Sequence, residues 1–293
     1  MLASLRRLSQ HRPHPVRRPS KRARLHGKGR PAAWPAMLLA AVLAMPAAAG
    51  AQETTYQPEV GQAGKDVVWV PTSQELVEKM LDLAQVRAGE RLMDLGSGDG
   101  RTVIAAARRG LVAQGVEYNP EMAELARRNA AKAGVAERAT FITGDLFEAD
   151  LSQADVITMF LLPSINEKLR PRLLELEPGT RVVSNTFRMG DWQPDATDSV
   201  DGDCQNWCMA LLWIVPAKVE GTWRLDGQEL KLAQRYQMLE GTLAGTPISD
   251  ARLRGNEITF TAGGVRYAGT VQGRTMQGTT TGARNGTWSA RRG

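Results

Sequence analysis

Apolar and polar positions divide the chain into regions of different periodicity. Residues 74–86 place apolar side chains at helical spacing, and Thr72 or Ser73 is positioned to cap that helix. From Arg91 onward, short apolar runs alternate with helical runs, which is typical of a parallel α/β sheet. This alternation predicts strands near 91–95, 113–118, 139–144, 154–161 and 180–186, and helices near 100–109, 120–133 and 164–176.

The pattern changes after Ala217. Residues 218–293 are rich in glycine and threonine and alternate with a period of two, and Gly-Asn, Gly-Gly and Asn-Gly pairs separate the runs. The tripeptide Gly-Thr-Trp opens this region at 221–223 and closes it at 286–288. We expect these two segments to be neighbouring strands of one antiparallel meander or small barrel.

Charge is distributed unevenly along the chain. Residues 1–51 contain ten of the 37 basic residues, no acidic residue and all three histidines. The remainder has 27 basic and 31 acidic residues, a net charge of −4, so composition gives no support for a nucleic-acid partner. Without residues 1–51 the chain has no imidazole, which excludes a histidine base, a Ser-His-Asp triad and histidine ligation of a metal. We expect no metal site.

Residues 1–51 have the parts of an export leader: a basic segment, the apolar stretch 36–46 and the small residues Ala49-Gly50-Ala51 before Gln52. The apolar stretch has about half of the roughly 20 residues that a membrane-spanning helix needs. We therefore expect cleavage after Ala51, no permanent membrane anchor, and a periplasmic or secreted protein. The alternative is an uncleaved anchor or a mis-assigned start, with the protein on the membrane or in the cytoplasm. The predicted organisation is a leader (1–51), an α/β domain (52–217) and an all-β domain (218–293).

A glycine-rich loop directly follows the first predicted strand. Residues 94–101 read Asp-Leu-Gly-Ser-Gly-Asp-Gly-Arg, and a predicted helix comes next. Glycines in this position let the backbone approach a ligand closely, and the helix N-terminus offers free N–H groups. The third glycine comes one position earlier than in the dinucleotide fingerprint, and Asp94 precedes the first glycine. This arrangement favours a cationic amino-acid ligand over a pyrophosphate.

Two further carboxylates follow the next two predicted strands. Glu117 comes 23 residues after Asp94, close to the offset at which an acidic side chain reaches a ribose, and Asp145 follows the third strand. Because the carboxyl ends of parallel strands share one edge of a sheet, we expect all three carboxylates to face one crevice. Each carboxylate alone is equally well explained as a loop cap or a solvated charge, but their joint spacing favours a binding site.

These residues resemble motifs I, post-I and II of class I S-adenosylmethionine (SAM)-dependent methyltransferases. More narrowly, residues 94–107, 70–72 and 115–120 resemble the lysine methyltransferases that modify ATP synthase c-subunit and adenine nucleotide translocase, and their bacterial relatives. The resemblance covers about residues 66–194. It implies a Rossmann-like class I methyltransferase sheet with helices on both faces, here followed by the small C-terminal antiparallel β domain.

The resemblance also implies SAM as the cofactor and assigns residues to it. Asp94 and the loop glycines would hold the methionine part, Glu117 the ribose, and Tyr118 and Asp145 the adenine. The whole implied cofactor-binding set is Pro71, Thr72, Asp94, Gly96, Ser97, Gly98, Gly100, Glu117, Tyr118, Asp145 and Leu146.

The acceptor side is less defined by the sequence. After the fourth strand, residues 160–163 read Phe-Leu-Leu-Pro in place of the Asn/Asp-Pro-Pro-Tyr motif of enzymes that methylate base or glutamine nitrogens. The methyl acceptor is therefore an unidentified protein, with lysine as one candidate group, or a small molecule. Asp191 and Trp192, after the fifth strand, are the substrate-side catalytic candidates, and an ordinary loop with a packed tryptophan is the alternative. The alternative function is an exported, non-enzymatic binding protein with a relic methyltransferase domain, against which the three intact carboxylates argue.

Cys204 and Cys208 are the only cysteines of the chain. Two sulfurs without histidine cannot complete a zinc site, so in an exported protein we expect a disulfide. In an extended strand the two Cα atoms would lie about 13 Å apart, beyond bridging distance, whereas a turn or helix brings them to about 6 Å. We also expect the β domain to pack on the α/β domain and to shape the acceptor side of the crevice.

Overall fold

The structure is a computed structural model that describes residues 56–200, 204 and 206–293. The predicted leader and its cleavage site lie outside the described residues. The described residues all belong to one compact unit of the chain.

Four helices and seven strands of the described chain build the first part of this unit. The helices are α1 Gln74–Leu83, α2 Arg101–Arg108, α3 Pro120–Lys132 and α4 Pro163–Leu173. The strands are β1 Arg91–Leu95, β2 Val112–Glu117, β3 Ala139–Thr143, β4 Val156–Met159, β5 Arg181–Asn185, β6 Ala196–Ser199 and β7 Met209–Ile214. The predicted strands and helices up to residue 186 are all present, with ends that differ by a few residues.

The seven strands form one sheet in the order β3-β2-β1-β4-β5-β7-β6. Strands β1 to β5 run parallel, and β7 runs antiparallel to both β5 and β6. This is the class I methyltransferase sheet that the resemblance implies. The predicted elements do not include β6 and β7. Strand β7 is an apolar run, which is typical of a strand buried on both faces, whereas β6 has only four residues and no apolar pattern.

Helices cover both faces of the sheet because successive strand residues point to opposite sides. On one face Leu92 of β1 packs in a cluster with α1, α2 and α3, and on the other Met93 and Leu95 pack in a cluster with α4. Helix α1 buries Leu81 completely, so Leu81→Ala would cost about 2–5 kcal/mol of stability. No helix of the described residues is both long enough and apolar enough to cross a membrane.

Local sequence signals fix where the helices begin. Ser73 caps α1 by accepting a hydrogen bond from the Leu76 N–H, and Asn119 caps α3 in the same way ahead of Pro120. Helix α2 differs, because its N-cap is Gly100 in a left-handed conformation, which offers no side-chain acceptor. Asp99 Oδ1, one residue earlier, accepts from the Arg101 N–H over 3.3 Å instead.

The remaining strands form a closed antiparallel barrel. They are β8 Gly221–Leu225, β9 Gln228–Arg235, β10 Met238–Leu243, β11 Thr246–Pro247, β12 Ser249–Arg254, β13 Glu257–Ala262, β14 Val265–Gln272, β15 Thr275–Gly282 and β16 Gly286–Arg292. The strands pair in the order β11-β10-β12-β13-β14-β15-β16-β8-β9, and β9 pairs with β10 to close the ring. The two Gly-Thr-Trp segments thus lie on neighbouring strands, β8 and β16, as predicted.

Aromatic side chains fill the centre of the barrel. The rings of Phe260 and Tyr267 stack with centroids 4.6 Å apart, and Trp288 meets both edge-on. Gly269 makes room for this tryptophan, because a Cβ at that position would lie 2.5 Å from Trp288 Cζ2. The alternating pattern of the sequence therefore gives the barrel its own core.

The barrel packs on the domain of the seven-stranded sheet, hereafter the sheet domain, through polar contacts. The indole N–H of Trp192 donates to Gln237 Oε1 over 2.9 Å, and both side chains are buried. Arg252 of β12 pairs with Asp195 over 2.9 Å. These contacts lie beyond the end of β5, between the sheet domain and the barrel strands β9, β10 and β12.

Candidate functional site

A cleft of about 420 Å³ opens along the carboxyl ends of the parallel strands. All residues of the predicted cofactor set line this cleft except Gly100. Gly100 instead lets α2 begin close to the sheet, since its φ is +83° and an added Cβ would lie 2.7 Å from Phe141 Cζ. The structure therefore brings the three predicted carboxylates to one crevice and gives Gly100 a packing role.

The glycine-rich loop is tied to the end of β2. The N–H groups of Gly96 and Ser97 both donate to the Val116 carbonyl, over 2.9 and 3.0 Å. The Gly98 N–H donates to Glu117 Oε2 over 2.8 Å, and the other oxygen of Glu117 accepts from the Asn119 N–H over 3.0 Å. Glu117 is thus held by backbone donors at the edge of the cleft.

Asp94 is the buried acid of the site. Its Oδ1 accepts a hydrogen bond from the Thr158 hydroxyl over 2.7 Å. Burial raises the pKa of Asp94 to about 7, helped by the nearby charges of Glu117 and Asp99, although the bond from Thr158 acts in the opposite direction. A cation placed beside Asp94 would favour its ionised form.

The end of β3 presents an ion pair beside an aromatic ring. Lys65 donates to Asp145 Oδ2 over 2.5 Å, and its Nζ lies 4.8 Å from the centre of the Tyr118 ring. The hydrogen bond from Lys65, followed by one from the Phe147 N–H, lowers the pKa of Asp145. Tyr118 offers a ring face and Asp145 a hydrogen-bond acceptor, which are the groups that a purine base needs for stacking and amine recognition.

An N-terminal hairpin (residues 61–70) covers the glycine loop. The Gly61 N–H donates to the Trp69 carbonyl over 2.8 Å, and the Trp69 N–H donates to the Gln62 carbonyl over 2.9 Å. Trp69 reaches Gly98, because a Cβ at Gly98 would lie 2.7 Å from Trp69 Nε1. The sequence did not predict Lys65 and Trp69 as site residues, because residues 61–70 have neither a helical nor an alternating pattern. One lysine and one tryptophan alone form no recognisable motif.

Pro71 and Thr72 connect this hairpin to the sheet. Thr72 Oγ1 accepts from Asn185 Nδ2 over 3.1 Å, and the Thr72 carbonyl accepts from Arg101 Nη1 over 2.7 Å. Asn185 ends β5 and Arg101 begins α2, so Thr72 joins both to the border of the cleft. The placement agrees with the implied position of Pro71 and Thr72 beside the site.

The other half of the cleft is aromatic. Phe160 follows β4, Phe187 follows β5 and Trp207 precedes β7, and all three line the cleft. Phe160 stacks on Phe187 with centroids 5.9 Å apart and meets Trp207 edge-on at 5.8 Å. Cys204 and Cys208, on either side of Trp207, are joined by a disulfide with Cα atoms 5.9 Å apart.

The structure does not bring Asp191 and Trp192 to the cleft. Asp191 pairs with Arg170 and with Arg235 and Tyr236 of the barrel, and the bond from Arg235 is the main reason that its pKa is lowered to about 2. Trp192 is fully buried against the barrel. The prediction that Asp191 and Trp192 are substrate-side residues is therefore corrected. Both follow β5 in the chain, but their side chains contact the barrel and not the cleft.

The barrel itself contributes no described residue to the lining of the cleft. The prediction that the barrel shapes the acceptor side is therefore not supported by its position. Its contacts with Trp192 and Asp195 indicate that it stabilises the sheet domain. Among the residues that the structure describes, no group of three or more His, Cys, Asp or Glu side chains could hold a metal ion.

The cleft fits the chemical groups of SAM. A buried carboxylate, Asp94, suits the positively charged methionine part, and the Glu117 oxygens at the end of β2 suit a ribose diol. Tyr118 and Asp145 suit the adenine ring and its amine. Gly96 lines the cleft without a side chain, so a ligand can approach the loop backbone closely there.

Comparison with known proteins agrees with this geometry. The family model described as the ANTKMT methyltransferase domain matches residues 94–196. A protein-lysine N-methyltransferase of Saccharolobus islandicus is 45% identical over 143 residues, which are 48% of this chain and 89% of that protein. The mouse adenine nucleotide translocase lysine N-methyltransferase is 41% identical over 132 residues, 44% of this chain and 57% of that protein.

A second mouse relative and one solved structure extend the comparison. The mouse ATP synthase c-subunit lysine N-methyltransferase is 39% identical over 130 residues, 44% of this chain and 52% of that protein. The chain therefore spans little more than half the length of the two mouse relatives. A structure described as an RNA methyltransferase from Salinibacter ruber with S-adenosyl-L-homocysteine is 49% identical and covers 51% of this chain and 96% of that chain, with a TM-score of 0.48.

The Saccharolobus islandicus protein is matched over 89% of its length. The residues matched by the family model, 94–196, include Asp94, Glu117 and Asp145 of the cleft. The chain belongs to the family of the ANTKMT methyltransferase domain and is a SAM-dependent methyltransferase.

Proposed function

We propose that this enzyme transfers the methyl group of SAM to the ε-amino nitrogen of a lysine side chain in a protein. The observation that carries the proposal is the 45% identity to a protein-lysine N-methyltransferase over 89% of that relative. The two mouse relatives are also named as lysine methyltransferases, of the ATP synthase c-subunit and of adenine nucleotide translocase.

The reaction needs two partners held in line. When bound, SAM supplies a methyl group activated by a positively charged sulfur. Asp94, Glu117 and Asp145 lie in one half of the cleft, at β1 to β3, and would hold SAM there, beside the half at β4, β5 and β7. Positioning of this kind supplies much of the acceleration of a bimolecular transfer.

The acceptor amine must be neutral to act as a nucleophile. None of the described residues is a histidine, so no imidazole of the described chain can take the proton. Trp207 in the acceptor half of the cleft is 42% exposed, so water reaches the bound ammonium group and takes its proton before the transfer.

The experiment is a labelled transfer. The full chain is incubated with methyl-labelled SAM and a protein extract of its native host, and the proteins are hydrolysed to amino acids. Label in Nε-methyl-lysine is the expected result, and prior acetylation of the extract should abolish it. The matched control is Asp94→Asn, which keeps the size of the side chain. Label confined to RNA, lipid, arginine or base-labile esters would contradict the proposal.

We also propose that the protein acts outside the cytosol. Two features support this: the leader-like residues 1–51 and the disulfide between Cys204 and Cys208, which persists in oxidising compartments. Fractionation of the host followed by immunodetection tests the location, and a protein found only in the cytoplasmic fraction at its full length would refute it.

A further inference from the structure

The aromatic half of the cleft is built from three separate parts of the chain. Phe160, Phe187 and Trp207, hereafter the aromatic triad, come from the ends of β4 and β5 and from the loop before β7. These three strands lie side by side in the order β4-β5-β7, next to β1, which carries Asp94. The triad thus adjoins the cofactor half of the cleft along the same edge of the sheet.

The triad remains accessible although its rings touch one another. Trp207 is 42% exposed, and Phe160 and Phe187 are half-buried. Large exposed apolar side chains in a cleft usually serve a ligand. Among ligands, a lysine side chain fits this surface well, because its methylene groups pack on aromatic rings and its cationic end is attracted to their faces.

Trp207 is held in an unfavourable backbone conformation. Its φ is +56°, in the left-handed region that bulky residues rarely adopt. The disulfide between Cys204 and Cys208 closes the short loop that contains Trp207. The Val200 N–H donates a hydrogen bond to the Cys208 carbonyl over 2.9 Å. Strain of this kind persists where the surrounding structure imposes it, and it is common at ligand sites.

We propose that the aromatic triad binds the acceptor lysine, and that the Cys204–Cys208 disulfide is the positioning element that holds Trp207 in the triad. This assignment rests on the proposed lysine methyltransferase function and adds its acceptor site. It makes acceptor affinity dependent on the oxidised state of the loop, whereas SAM affinity is independent of it, since the carboxylates of the cofactor half lie on β1 to β3.

The test uses the full chain saturated with S-adenosylhomocysteine and a glycine-flanked peptide that carries trimethyl-lysine, titrated by NMR. A second peptide carries the neutral tert-butyl analogue of the same shape. The wild type should bind the cationic peptide about 2- to 30-fold more tightly than the neutral one, the range of a cation–π contact. Trp207→Ala should remove this difference, and Trp207→Phe should restore part of it.

The disulfide is tested by the double variant Cys204→Ser/Cys208→Ser. It should lose acceptor affinity to about the extent of Trp207→Ala, and adding Trp207→Ala to it should cause little further loss, because both changes remove the same contact. The affinity for S-adenosylhomocysteine should stay unchanged in all variants, which shows that each one is folded. Met238→Ala, an exposed apolar residue of the barrel away from the cleft, is the matched control and should bind like the wild type.

The outcomes separate the two proposals. Equal binding of the cationic peptide by wild type and Trp207→Ala, or no binding by the wild type, would overturn the triad as the acceptor site even if labelled lysine is found in proteins. Absence of labelled lysine in every protein would overturn the proposed function itself. Wild-type affinity in the double cysteine variant would overturn the role of the disulfide.

Discussion

The hydroxyl of Thr158 donates a hydrogen bond of 2.7 Å to the carboxylate of Asp94, and both side chains are buried at the centre of the parallel sheet. One hydrogen bond from a hydroxyl does not compensate for the burial of a charge, and the pKa of Asp94 is accordingly raised to about 7. The protein thus keeps at its cofactor site an acid whose charge is best stabilised by a cationic ligand. Stability of the free protein should therefore fall as pH rises, whereas SAM affinity should increase.

The first concerns stability without cofactor. The unfolded chain has an ordinary aspartate pKa near 4, so the folded protein holds the Asp94 proton more tightly than the unfolded one. This group therefore favours folding at low pH, and the contribution is lost as pH rises from about 4 to about 7. Asparagine has no charge to bury, so Asp94→Asn should stabilise the free protein at pH 8 by up to about 4 kcal/mol relative to the wild type. Chemical unfolding at pH 5 and pH 8 measures this, and an equal effect at both pH values would contradict it.

The second prediction concerns SAM affinity. A cationic ligand favours ionised Asp94, so binding below pH 7 must displace a proton. Wild-type affinity should rise with pH by up to about tenfold per unit and level off above about 7. Asp94→Asn should bind SAM weakly and without this dependence. Glu117→Gln is the control for charge, because it removes a carboxylate that helps to raise the Asp94 pKa and should move the midpoint to lower pH. Calorimetric titration over the range measures both effects.

The third prediction concerns the contact of the N-terminal hairpin with the glycine loop. Gly98→Ala places a methyl group 2.7 Å from Trp69 Nε1, so the tryptophan must move and the hairpin no longer covers the loop. The change should weaken SAM binding and shift the indole N–H resonance of Trp69. Gly134→Ala is the matched control, because Gly134 also has a positive φ, +69°, but has open space around it. It should cost about 1–2 kcal/mol of stability through backbone strain and leave SAM affinity unchanged.

Much of the cofactor half could be predicted from sequence, because its parts are local. Asp94, Glu117 and Asp145 each follow a strand directly, and the parallel sheet brings strand ends together without further information. Lys65 and Trp69 reach the same cleft through a hairpin whose position depends on tertiary contacts. Asp191 was predicted as a site residue because it follows β5, but it lies outside the cleft. Its carboxylate pairs with Arg170 and with Arg235 and Tyr236 of the barrel. Such long-range pairings leave no local pattern in the chain.

The fourth prediction concerns the barrel contact. Gln237→Ala leaves the buried indole N–H of Trp192 and the Gln193 carbonyl without their partners. We expect a loss of about 1–3 kcal/mol of stability, the cost of unsatisfied buried polar groups. Gln277→Ala, on an exposed position of β15, should change stability by less than about 0.5 kcal/mol. Neither variant should change SAM affinity, and a change in Gln237→Ala would mean that the barrel contact is coupled to the cleft.

The last prediction concerns the thiols. The structure joins Cys204 to Cys208, and the chain has no other cysteine. Protein isolated from its native host under acid trapping should therefore show no free thiol after denaturation, and two after reduction. The same chain expressed in a reducing cytosol should show two free thiols at once, because short-loop disulfides do not persist there. If native protein also showed two free thiols, it would reside in a reducing compartment, and both the proposed export and the disulfide control of Trp207 in the cell would fail together.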